Sequence, residues 1–214
     1  MFRIRIQNKK KCIWYCSAVV SFLLFLLLLG WTNHLANTQD AQQMAGRWSE
    51  KKDVAQVSCF FSSKAEVTED TIQSFEYSLK NVLQEASITE TSENPSARLW
   101  VDAYSADGKI TLVNGRNTLD ANAIGIGGDF FLFHPLKLIT GSYFSGNDLM
   151  QDYCIIDQDA AWQLFGSNDV VGMTVYIGNV PHIVTGVVRR PQGRMEKAAG
   201  LTSTVVYVSY ETLE

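Results

Sequence analysis

The sequence predicts an α+β fold: one N-terminal transmembrane helix, then an extracytoplasmic domain whose mixed or antiparallel sheet carries packed helices, divisible into two subdomains. Three observations predict it. Cys12 to Asn33 is a run of 22 residues without a charge, long enough to cross a bilayer as a helix. Short stretches alternate apolar and polar side chains with turn residues between them, the mark of half-buried strands. Two further stretches, near residues 68 to 86 and 157 to 166, repeat their apolar positions at helical spacing.

The N-terminal run admits three readings: a retained membrane helix, a cleaved signal peptide and a buried core helix. Every residue from Val19 to Leu29 except Ser21 is Leu, Phe or Val, and a helix apolar on all sides is uncommon in a soluble core. His34-Leu35-Ala36 is the nearest approach to a cleavage site, and it lacks the small-x-small pattern. The retained anchor is therefore favoured. Arg3, Arg5, Lys9, Lys10 and Lys11 precede the run with no acidic residue among them, and such a bias keeps the preceding segment cytoplasmic. The predicted organisation is a basic cytoplasmic N-terminus (1–11), a membrane helix (12–33), a stalk or linker (34–53) and an external domain (54–214).

Of the 18 basic residues, 13 remain beyond the membrane run against all 22 acidic ones, a net charge of −9. Nucleic acid is an unsuitable partner for such a surface. In the linker, Ala41, Met44, Ala45 and Trp48 share a helical face; a helical stalk and an unstructured tether fit it equally.

Within the external domain, Val54 to Phe61 reads as a strand by its Val, Phe and Cys content. Thr68 then suits an N-cap, Glu69 and Asp70 suit the positive end of a helix dipole, and Ile72, Phe75, Leu79, Val82 and Leu83 form an apolar stripe. Thr89 to Ser96 is a polar loop. Arg98 to Ser105 alternates as a strand, Asp107-Gly108 offers a hairpin turn, and Lys109 to Val113 returns. A strand near Asp120 to Ile126 follows. Gly125, Gly127 and Gly128 lack the flanking residues of a phosphate loop and read as a glycine-rich bend beside a strand.

Asp157 is placed to cap a two-turn helix bearing Ala160, Ala161, Leu164 and Phe165 on one face, with Gly166 to end it. Val175 and Ile177 alternate with Thr174 and Tyr176, Gly178-Asn179 makes a two-residue turn, and His182 to Val188 returns antiparallel. The basic run Arg189 to Lys197 reads as a solvated loop, the sharper alternative being a contact for an acidic partner or lipid headgroup. A last strand covers Thr204 to Ser209.

Several of these pieces occur in an order that resembles the MacB-like periplasmic core domain of ABC transporter permeases of the MacB and FtsX kind. They are Ile139-Thr140-Gly141-x-x-Phe144, Asp148, Ala160-Ala161-x-x-Leu164-Phe165-Gly166, Val171-Gly172, Val175-x-Ile177 and Ile183-Val184-x-Gly186-Val187-Val188. The resemblance is best over residues 125 to 210. It implies an external domain that moves in response to a separate ABC ATPase subunit, in a permease that pairs with itself and exports a substrate or acts mechanically on an envelope partner. Permeases of this kind carry four membrane helices, whereas one apolar run is found here. That leaves a portion of a permease, or else a single-span anchored interaction or sensor protein of the cell envelope.

No catalytic, cofactor-binding or metal residue is expected. His34, His134 and His182 have no second ligand at metal-binding spacing. Asp148, Asp152, Asp157 and Asp159 read as turn and cap residues rather than a catalytic pair. Gly141-Ser142 and Gly166-Ser167 lack the nucleophile elbow, so a hydrolase is a distant third reading. Cys12 and Cys16 sit one turn apart in the membrane run, where packing is favoured over lipidation. Cys59 and Cys154 fall in expected strands, either bridged or as two buried thiols.

Overall fold

A computed structural model describes residues 2–37, 43–48, 54–62, 64–65, 67–89, 98–146, 148–190 and 203–213. It divides into two compact units, residues 1–56 and 57–214. The first holds helix α1 (Phe2–Asn37) and the short helix α2 (Met44–Trp48). Ile13–Leu35 of α1 has the length and composition to cross a membrane, and at about 1.5 Å per residue it reaches about 35 Å, slightly more than a hydrocarbon core.

The second unit is built on one mixed sheet of seven strands: β1 (Ala103–Asn114), β2 (Asn117–Gly128), β3 (Leu138–Gly141), β4 (Tyr153–Asp157), β5 (Thr174–Ile177), β6 (Val180–Val188) and β7 (Val205–Ser209). The strand order is β3-β6-β4-β7-β2-β1-β5, and β5 pairs with β6 as well as with β1. Pairing therefore closes into a ring through β6, β4, β7, β2, β1 and β5. Closure removes most of the open strand edge that a flat sheet would leave for aggregation. Helix α5 (Gln158–Phe165) joins the larger apolar cluster through Ala160, Ala161 and Leu164, beside Leu112, Ile156, Val175, Val184 and Val206. A second cluster collects Ile126, Phe130, Phe131, Phe144, Ile155 and Val188. Its Phe130 and Phe131 lie on the one-turn helix α4 (Phe130–Phe133).

The stretch from β3 to β6 forms as its residues predict. Asp157 Oδ1 accepts from Ala160 N at 2.8 Å, Gly166 ends the helix at φ 74°, and Val175 and Ile177 are buried while Tyr176 is exposed. Gly178 and Asn179 both have positive φ, the signature of the turn whose twist suits a hairpin.

Four expectations fail. Among the described residues Val54 to Phe61 has no strand partner, and Phe60 is 92% exposed. Arg98 to Asp102 is not strand, with a bend at Leu99, and the strand begins only at Ala103. Asp107-Gly108 is not a turn: both residues lie inside the β1 ladder, opposite Ile124 and Ala123. The turn comes at Gly115-Arg116, where Gly115 takes φ 61° and the first central residue of such a hairpin must adopt a left-handed conformation. Gly108 instead leaves room for the side chain of Leu213, to which an added Cβ would approach within 3.1 Å. Likewise Gly125 and Gly127 are strand residues rather than a bend, making space for Leu213 and for the ring of Tyr104.

Gly141 closes β3 at φ 84°, and a Cβ there would lie 2.1 Å from Thr185 O. Both the conformation and the space exclude a side chain. Gly141→Ala should therefore lower stability by about 2 kcal/mol or more, read as a shift in the urea midpoint of the detergent-solubilised chain.

Candidate functional site

Two arrangements of charged side chains stand out in the second unit. The first centres on Asp157, which is 1% exposed. One carboxylate oxygen caps α5; the other accepts from Arg190 Nε at 3.0 Å, from Arg190 Nη2 at 2.6 Å and from Val205 N at 3.0 Å. Arg190 also donates to Thr204 and pairs with Asp159 at 2.9 Å. The group thus ties the end of β4, the start of α5, the exit from β6 and the start of β7. Charged hydrogen bonds of this kind compensate the desolvation of both ions. Its role is architectural: every bond in it joins one element of the sheet unit to another.

The second arrangement lies where α3 (Glu69–Glu85) meets the extended segment that enters β1. Thr68 caps the helix, with Thr71 N donating to its hydroxyl at 3.4 Å. No residue of α3 is buried, and Phe75 and Val82 remain 65% and 60% exposed. The expectation of a helix packed through its apolar stripe is met in part: Ile72, Leu79 and Leu83 are half-buried, whereas Phe75 and Val82 face outward. Polar bonds hold its N-terminal end. Tyr104 Oη donates to Glu69 Oε1 at 3.1 Å, and Tyr210 Oη donates to Val67 O at 2.8 Å. Tyr104 lies across Gly127, and burial followed by the nearby Glu69 carboxylate raises its phenol above the usual range, so it remains a donor. A cavity of about 670 Å³ opens beside the carboxyl pair, lined by Glu76, Tyr77 and Lys80 of α3 and by Arg98, Trp100 and Asp102. Burial first, then Asp102, push Glu76 up to about 7. Arg98 is drawn to Asp129 at 2.8 Å.

The other residues singled out in the sequence are dispersed. His34 is exposed on α1, His134 is exposed and stacks on Phe130, and His182 is buried between Val180 O and Thr212 Oγ1. Among the described residues no three of His, Cys, Asp and Glu gather as metal ligands. Asp148 accepts from Ser145 N at 2.9 Å, a turn-making bond. Arg190 belongs to the Asp157 group and not to a solvated loop; residues 191 to 197 of the basic run lie outside those described, as do 38 to 42 and 49 to 53 of the linker and Glu90 to Ser96 of the polar loop. Cys59 is exposed and Cys154 buried, and both are free thiols. The bridge between them and the pairing of two buried thiols are both corrected by that difference.

The Glu76–Asp102 pair was missed because 26 positions separate its members. One signal was available: Glu76 falls between Ile72 and Leu79 on the apolar stripe, where a carboxylate is out of place.

Compared with known proteins, residues 20–214 match the MacB-like periplasmic core domain. The macrolide export ATP-binding/permease protein MacB of Pasteurella multocida is 31% identical over 98 residues, 45% of this chain and 14% of that protein. That of Chromobacterium violaceum is 31% identical over 96 residues, 44% of this chain and again 14% of the relative. The matched part is thus about one seventh of those proteins. The crystal structure of the periplasmic region of MacB from Actinobacillus actinomycetemcomitans aligns with 55% of this chain and 52% of its own, at 25% identity and a TM-score of 0.42.

Two outcomes test these assignments. Asp157→Ala removes the α5 cap and leaves Arg190 to Asp159 and Thr204, and should cost about 3 kcal/mol in chemical denaturation. Burial pushes the Cys154 thiol up to about 12, which leaves about one molecule in ten thousand as thiolate at pH 8. Maleimide should therefore label Cys59 promptly and Cys154 only after unfolding, read by peptide mass spectrometry.

Proposed function

The chain belongs to the family of the MacB-like periplasmic core domain, and on that premise we propose that it is the external domain and first membrane helix of an ABC transporter permease subunit. The observation that carries this reading is the extent of the family match, which begins at residue 20, inside the apolar span of α1, and continues through the ring of strands. The relatives are named as ATP-binding and permease proteins, which supports coupling to an ATPase; in our reading that ATPase is a separate subunit and the permease works as a dimer. The basic residues before the span support a cytoplasmic N-terminus, with residues 34–214 outside. The external domain does no covalent chemistry. It is a rigid body on a membrane helix, and its output is motion, expelling a substrate or acting on an envelope partner.

One observation favours a second reading, a single-span interaction protein without transport. Leu149 is fully exposed, beside Met150, on a loop pinned by Asp148 and by the bond of Ser209 to Gln151. A loop that presents leucine to solvent suits contact with an apolar patch on another protein.

Purification of the tagged full chain from its native membrane should bring an ATPase subunit with it, identified by mass spectrometry. Recovery of envelope proteins with no ATPase would support the second reading. Membrane-impermeant labelling should reach Cys59 from outside intact cells; access only from the cytoplasmic side would overturn the topology.

A further inference from the structure

We propose that Asn114 is a site of spontaneous amide-to-acid conversion, and that the conversion unties the β1–β2 turn from the C-terminal end of α5. Asn114 is the one asparagine in the sequence followed by glycine. The backbone nitrogen of the following residue can attack an asparagine side-chain carbonyl and close a five-membered ring. A side chain on that residue hinders the approach, and glycine has none. Gly115 is exposed and stands outside both strands, so its nitrogen is not committed to the β1–β2 ladder. Beyond its chain neighbours, no atom lies within 4 Å of the place its Cβ would take.

The step needs only water. The Gly115 nitrogen gives up its proton and bonds to Asn114 Cγ; the Cγ–Nδ2 bond breaks, and the leaving nitrogen takes up a proton and departs as ammonia. Water then opens the ring at either carbonyl. One opening leaves aspartate in place, and the other leaves an isoaspartyl link that runs the main chain through Cβ.

The fold gives this change a consequence at a distance in the sequence. The side-chain nitrogens of Asn114 and Asn117 both donate to Leu164 O, at 3.3 and 2.9 Å. Leu164 is the next-to-last residue of α5, and carbonyls at that end of a helix have no partner within it. The two amides therefore close the helix end from the turn. A carboxylate only accepts, so an acid at position 114 faces a carbonyl oxygen and the negative pole of the helix. The Asn114 arm of the tie is lost, and Asn117 holds alone. The isoaspartyl product also lengthens the main chain where Asn114 sits opposite Asn117, and a two-residue turn no longer spans the pair in register. Leu164 is 1% exposed within the larger apolar cluster, so the loosened helix end lies against the core.

Incubation of the full chain in detergent and in water labelled with heavy oxygen, followed by peptide mass spectrometry, reads the conversion. Asn114 should become a labelled acid, as a mixture of aspartyl and isoaspartyl peptides, ahead of Asn117. Gly115→Asn keeps a residue that tolerates the left-handed turn conformation and should leave Asn114 as the amide over the same time. For the consequence, Asn114→Asp should quicken hydrogen exchange in the last turn of α5 about fivefold. It should do so more than Asn114→Ala, which removes the donor without adding a charge, while peptides from β4 stay protected and report an intact fold. An amide retained at position 114 in the folded chain, when the chain in denaturant has converted, overturns the proposal. So does conversion undiminished by Gly115→Asn, or exchange in Asn114→Asp no faster than in the wild type.

Discussion

One buried carboxylate organises the sheet unit. Asp157 ends a strand, opens a helix, and is the acceptor on which Arg190 and the amide of Val205 converge. An ion taken out of water must be compensated by partners held in fixed positions. Here those partners come from chain positions 33 and 48 residues away, so the requirement is met only when β4, β6 and β7 are already side by side. The ion group therefore acts as a check on topology: it is costly in any arrangement that leaves one of the three strands out.

The ring of pairings builds on that junction. β6 shares one edge between β5 and β3 and gives the other to β4, and the missing side chains of Gly108, Gly125 and Gly127 let Leu213 and Tyr104 lie against the β1–β2 ladder. Apolar side chains from α5 and the strands then fill one dense cluster. Such a body resists deformation, because close-packed interiors transmit displacement instead of absorbing it. The helix α3 is built differently. Its apolar stripe is only half-buried and its N-terminal bonds lie near the surface, and elements held in this way sit at the low end of local stability.

Legibility in the sequence followed the range of the interactions. The cap at Asp157, the stop at Gly166 and the turn at Gly178-Asn179 involve residues within a few positions of one another, and each formed as read. Thr68 opened α3 for the same reason. Asp107-Gly108 misled because a turn dipeptide is also compatible with an extended ladder when the glycine faces a distant side chain, here Leu213. Val54 to Phe61 misled because strand propensity describes a fit to neighbouring strands, and none of the described strands lies beside it. Cys59 and Cys154 were alike in local composition, yet one is exposed and the other sealed in the core.

The sequence by itself determined the apolar N-terminal span, the kinds of element in the external domain, and the ordered motifs from Ile139 to Val188 by which the family was seen. All of these depend on composition or on contacts between near neighbours in the chain. Only the tertiary structure decided that the strands close into a ring, that Arg190 is drawn inside to Asp157, and that Glu76 and Asp102 line one cavity. Each of those outcomes brings together groups far apart in sequence, and burial acts on a charge only after the whole fold has set the distance to its partners and to water.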